Sequence, residues 1–253
     1  VPTKQWYVYT PGAKTWQAAP DLPVERFAPA LGVIGGKIYL AETYGEGVST
    51  TYEIDPVTLA VTAKAPMPTG VSGPAATAFD GKLWLIGGVD AVNGASSVVQ
   101  TYDPATNAWV TINSFPVAGS MGSAAVFGGS LYVCGIGPTS TPTDEVYRRH
   151  ASGDIWEPAT RLTKSRTALS LGLSATHLLA MGGSALSAPL GTTAVEAFNG
   201  SLWQPAPPLP EPLIPWNSGG QAMVDDYLYV VGGATRGADS SNVYRLWVGS
   251  GAL

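Results

Sequence analysis

Charge is scarce in this chain of 253 residues. Only 12% of its residues are Asp, Glu, Lys or Arg, about half the share usual in soluble domains. Disorder pairs high charge with low hydrophobicity, and 45% of this chain is hydrophobic, so disorder is excluded. Thirteen Lys and Arg stand against 18 Asp and Glu. The longest basic cluster, Arg148-Arg149-His150, is too short to release counterions from a phosphate backbone, so no nucleic-acid partner is expected. A single cysteine, Cys134, excludes an intramolecular disulfide. The two histidines, His150 and His177, align to different elements in adjacent repeats, and no P-loop, zinc-ligand cluster or Ser-His-Asp spacing is present. No metal and no cofactor is therefore expected. No apolar run reaches the ~18 residues of a membrane span. Glycine and proline, by contrast, are abundant at 31 and 21 residues, which helix interiors do not tolerate. An all-β chain with many turns remains.

Self-similarity runs through the whole chain. Gly81-Lys82-Leu83-Trp84-Leu85-Ile86-Gly87-Gly88 aligns with Thr176 to Gly183 and with Asp226 to Gly233, each an apolar strand closed by a glycine pair. Weaker copies run from Gly36 to Thr43 and from Gly129 to Ile136. A second element follows, Tyr-Asp-Pro-x-Thr-x-x-Trp at Tyr102 to Trp109, with a close relative at Tyr9 to Trp16. The tryptophan position recurs at 16, 61, 109, 156 and 203, spacings of 45, 48, 47 and 47. A period of this length marks a repeat architecture.

These motifs resemble the kelch repeat, whose unit is a four-stranded antiparallel blade of a β-propeller. The resemblance implies one propeller domain over residues 1–253. Physical reading of the residues agrees. Small apolar runs such as Ala75 to Phe79 suit an innermost strand, and Asp80-Gly81 or Gly128-Gly129 suit the two-residue hairpin after it. With the strands of a blade written a to d, the chain reads c–d at its start, four whole blades, and then a, b and a c-like strand. Five blades are expected, the ring closing by pairing the N-terminal strands (about 5–18) with the C-terminal ones (about 219–247). The alternative is six blades with strands missing from this chain.

Propellers bind on the connections that vary between fixed blades. The b–c and d–a connections share one face, which is where a site is expected. Arg26, Ser72, Ser120, Arg166 and Asn217 align at the start of strand a, 12 or 13 residues before the aromatic position of strand b. Two guanidiniums among hydroxyl and amide groups suit a carboxylate or a sugar. In kelch adaptors that recruit acidic peptides, similar arginines grip carboxylates, and the resemblance carries that role to Arg26 and Arg166 alone. The other reading makes all five consensus residues that order blade entry. Glu42 stands where the repeat has a glycine, and broken local rules concentrate at functional sites. Tyr44 and Trp216 put flat rings on the same face, Trp216 within the proline-rich stretch 205–217.

The expected function is thus a non-enzymatic binding or scaffold module for a protein or glycan partner. Its rival is a sugar-active enzyme of mutarotase or hydrolase type, with Glu42 as acid or base at the channel mouth. Few lysines, many small residues and a start at Val1-Pro2 point to a secreted or cell-surface bacterial protein.

Overall fold

Turn chemistry sets the architecture. The computed structural model describes residues 3–26, 28–44, 48–137, 141–150, 153–185, 190–215, 221–235 and 238–248, with the backbone alone for 42–44, 48 and 238. All the secondary-structure elements in it are strands. β1 (Tyr7–Thr10) and β2 (Thr15–Ala18) form a hairpin. β3 (Ala30–Ile34), β4 (Lys37–Tyr44), β5 (Val48–Ile54) and β6 (Val61–Lys64) form the first four-stranded antiparallel sheet. The next stretch carries β7 (Val71–Ser72), β8 (Ala75–Phe79), β9 (Lys82–Ile86), β10 (Val89–Asp90), β11 (Gly94–Ala95), β12 (Val99–Asp103) and β13 (Ala108–Ile112). The second sheet runs β8, β9, β12, β13, while the short β7, β10 and β11 pair at its b–c end.

β14 (Ser123–Phe127), β15 (Ser130–Cys134), β16 (Thr143–His150) and β17 (Glu157–Arg166) make the third sheet. β18 (Ser170–Leu173), β19 (Leu178–Met181), β20 (Val195–Phe198) and β21 (Trp203–Ala206) make the fourth. After β22 (Gln221–Val224) and β23 (Tyr227–Val231) come the short pair β24 (Ala234–Thr235) and β25 (Ala238–Asp239). β26 (Val243–Trp247) then completes a three-stranded sheet with β22 and β23.

The a–b turns are the two-residue ones the sequence predicts. Ile34 pairs with Lys37, Phe79 with Lys82 and Phe127 with Ser130. Both turn residues lie at positive φ, as at Asp80 (49°) and Gly81 (70°), the geometry that matches the twist of the flanking strands. The glycine pair after strand b is required by close approach. A Cβ on Gly87 would stand 2.5 Å from the Gly119 carbonyl oxygen, in the next d–a connection. The Gly88 N–H donates to that same oxygen at 2.8 Å, hooking one blade to the next.

Apolar burial lies between the sheets. One cluster joins Tyr39 and Ala41 of the first sheet to Leu83, Leu85 and Tyr102 of the second. Others join the second sheet to the third, the third to the fourth, and the fourth to the C-terminal sheet. The repeated tryptophan seals such a seam. Trp109 Nε1 donates to the Ala65 carbonyl at 2.9 Å and to Thr51 Oγ1 at 3.1 Å, both in the preceding blade. The innermost strands stand in a row, β3 on β8, β8 on β14, β14 on β18, and β18 on β22. They line a channel cavity of about 820 Å³. This is a β-propeller of antiparallel blades, four of them four-stranded among the described residues.

At the ends of the chain β26 pairs with β23, and β1–β2 form a two-stranded sheet of their own among the described residues.

Candidate functional site

The starts of the a strands are where the sequence places a polar ring. Arg166 ends β17 and is buried at 1% exposure. Its Nη2 donates to Glu196 Oε1 at 2.7 Å, and its Nη1 to the carbonyls of Gly182 and Ala194 at 2.9 and 3.1 Å. Burial lowers the Arg166 pKa, while the Glu196 charge opposes that shift. Glu196 Oε2 accepts from the Thr163 N–H at 2.6 Å, so the pair staples the incoming connection to strand c. Gln100 holds the same register in the second blade, opposite Leu85 as Glu196 is opposite Ala180. Its amide exchanges two hydrogen bonds with the backbone of Thr69, at 2.8 and 2.9 Å.

Arg26 is buried, with its guanidinium 5.1 Å from the Tyr52 ring centre, and its backbone pairs with Thr3. Ser72 is half-buried in β7, paired with Val89. Ser120 is buried and bridges to Gly137. The backbone of Glu42 pairs with Thr50 and that of Tyr44 with Val48. The side chains of Glu42 and Tyr44, and the whole of Trp216 and Asn217, lie outside the described residues.

Residues that the sequence reading passed over carry much of this geometry. Glu196 and Gln100 each stand two positions before an aromatic in strand c, and alignment of the repeats exposes both. Arg149 lies over the rings of Trp84 and Trp156, at 5.0 and 5.9 Å, and donates to Asp154 at 2.7 Å. Ser130 Oγ lies 2.9 Å from His150 Nδ1, and His150 Nε2 lies 3.4 Å from Glu157 Oε1. This hydroxyl–imidazole–carboxylate line is invisible in the sequence spacing. Ser130 and His150 face each other across β15–β16, the serine is buried, and Arg148 holds Glu157 at 2.5 and 2.9 Å. The line links β15, β16 and β17, and its residues are not among those lining the channel cavity.

Among the described residues no group of three His, Cys, Asp or Glu is placed to hold a metal ion. No helix there is long and apolar enough to cross a membrane. Among the described residues, the b–c connections expose the apolar side chains of Val92, at 89%, and Leu190, at 55%.

A family model described as the Kelch motif matches residues 70–116. Alpha-scruin of Limulus polyphemus is 27% identical over 180 residues, 67% of this chain and 19% of that protein. Kelch-like protein 25 of Xenopus tropicalis is 26% identical over 192 residues, 72% of this chain and 32% of the relative. Kelch-like protein 35 of Mus musculus is 30% identical over 182 residues, 70% and 29% of the two. The chain thus spans about a fifth to a third of the length of these relatives. The solved structure of YjhT shares the fold, with a TM-score of 0.78, 15% identity, and coverage of 95% of this chain and 87% of that one.

Proposed function

The chain belongs to the kelch-repeat family, and from that premise we propose that it is a non-catalytic module binding a protein partner on its b–c and d–a connections. Kelch repeats generally mediate protein–protein interaction. One observation carries the choice of a protein over a sugar. The b–c connections offer water-exposed apolar side chains, Val92 and Leu190, while the Arg166 guanidinium is already bound to Glu196 and two carbonyls. Exposed apolar groups on a rigid frame favour a protein surface. Asp90 holds the first of them in place, its carboxylate accepting from the N–H groups of Val92 and Asn93 at 2.7 and 3.0 Å.

A peptide library and a glycan array, each presented to the wild type and to Val92→Asp and Leu190→Asp variants, test this reading. Peptide binding that falls at least about tenfold in the variants is expected. Glycan binding without peptide binding would overturn it, in favour of a carbohydrate ligand or a sugar-active enzyme.

A further inference from the structure

The repeat supplies an internal standard, and the third blade departs from it at four residues that touch. Where the start of strand b meets the end of strand c, the first two blades hold an ion pair: Lys37 with Asp55, and Lys82 with Asp103 at 4.0 Å. The third blade puts Ser130 and His150 in that slot, paired across β15–β16. Two residues earlier in strand c, the other blades hold Glu53, Thr101 and Ala197, opposite Thr62, Val110 and Gln204 of strand d. The third blade holds Arg148 there, opposite Glu157. Broken local rules of this kind concentrate at functional sites.

The four side chains share one face of the sheet, because paired residues point the same way and every second residue returns to that face. With its proton on Nε2, the His150 ring accepts from the Ser130 hydroxyl at Nδ1, 2.9 Å away, and turns Nε2–H toward Glu157 Oε1 at 3.4 Å. Arg148 donates to the same Oε1 from Nε and Nη2, and this contact first of all holds the Glu157 carboxyl below its ordinary value. The side chains of His150 and Glu157 are about half exposed. Ser130 is 4% exposed, but the turn before it is Gly128-Gly129, where an added Cβ would meet nothing within 4 Å. The turn therefore leaves open space beside the serine. A hydroxyl, an imidazole and a carboxylate in this order activate an otherwise weak nucleophile.

We propose that Ser130 is a reactive nucleophile that takes an acyl group from a small ester, with His150 as its base and Glu157 as the positioning residue for that base. Ser130 Oγ bonds to the acyl carbon while His150 Nδ1 takes the hydroxyl proton. The bond from the acyl carbon to the alcohol oxygen then breaks, and the imidazolium returns the proton to the leaving alkoxide. The products are acyl-Ser130 and the free alcohol. Glu157 stays ionised throughout and offsets the positive charge on the ring. The site lies within one blade, at its a–b and c–d end, away from the b–c and d–a connections. It does not depend on the reading above.

The test incubates the purified chain with p-nitrophenyl acetate and, separately, with a fluorophosphonate, and maps the modified residue by peptide mass spectrometry. One acetyl or phosphonyl group per chain, on Ser130, is expected. His150→Gln slows the modification at least about a hundredfold. Glu157→Ala slows it at least about tenfold and shifts the His150 ring away from the Nε2-protonated tautomer, read by nitrogen NMR. Ser130→Lys combined with His150→Asp rebuilds the ion pair of the first two blades, keeps the fold and abolishes the modification. Modification of Ser130 no faster than that of the exposed Ser201, or equal rates in the wild type and His150→Gln, overturns the proposal.

Discussion

At the scale of single residues, the position expected to join a polar ring holds a buried staple. Arg166 was legible in the sequence as an aligned cation, but its partner lies 30 positions on, and only the pairing of β19 with β20 brings Glu196 to it. A buried pair of this kind makes a sharp prediction. Glu196→Ala leaves the guanidinium uncompensated and lowers unfolding free energy in urea by about 3–5 kcal/mol. Removing both charges, as in Arg166→Met with Glu196→Leu, costs less than the sum of the two single changes. Cys134 makes a second prediction. It is fully buried, and burial pushes its thiol up to about 12. The native protein therefore resists iodoacetamide at pH 8, and urea-unfolded protein is alkylated at the rate of an ordinary thiol.

At the scale of elements, turns and glycine pairs were legible because they answer local demands: positive φ in the a–b hairpins and close backbone approach at Gly87. The charges on the strands were not, since a lysine and a carboxylate 18 positions apart meet only once the sheet forms. In the first blade Lys37 pairs with Asp55, and Lys64 with Glu53 at 3.0 Å. The Asp55 carboxyl is held below its ordinary value by the Lys37 hydrogen bond and then by the N–H groups of Thr58 and Val57. Glu53 is lowered by hydrogen bonds from Lys64 and then Tyr39. A carboxylate lowered on folding stabilises the fold above its unfolded pKa, and that stability is lost as pH falls through the folded value. The urea midpoint should therefore hold level from pH 7 to about 5 and decline below about pH 4.5. Asp55→Asn should make that decline shallower.

At the scale of the whole molecule, the fold class was legible and the seam was not. Tyr9-Thr10-Pro11 announces a c–d hairpin, but which strand stands beside it depends on long-range pairing that no local motif encodes. The competition for β23 goes to β26, five residues of which pair with it in register. The rigid blades also explain why so few charges are needed, since most side chains face a neighbouring sheet. The apolar side chains that remain exposed include Leu31 and Val33 on β3 and Met223 and Val224 on β22. Such exposure has a direct signature in native-state hydrogen exchange, because amides on poorly packed strands exchange by local opening. The inner strands β3 and β22, with β1, should exchange at least about tenfold faster than β8, β14 and β18. Equal protection of all five inner strands would contradict this account of the packing.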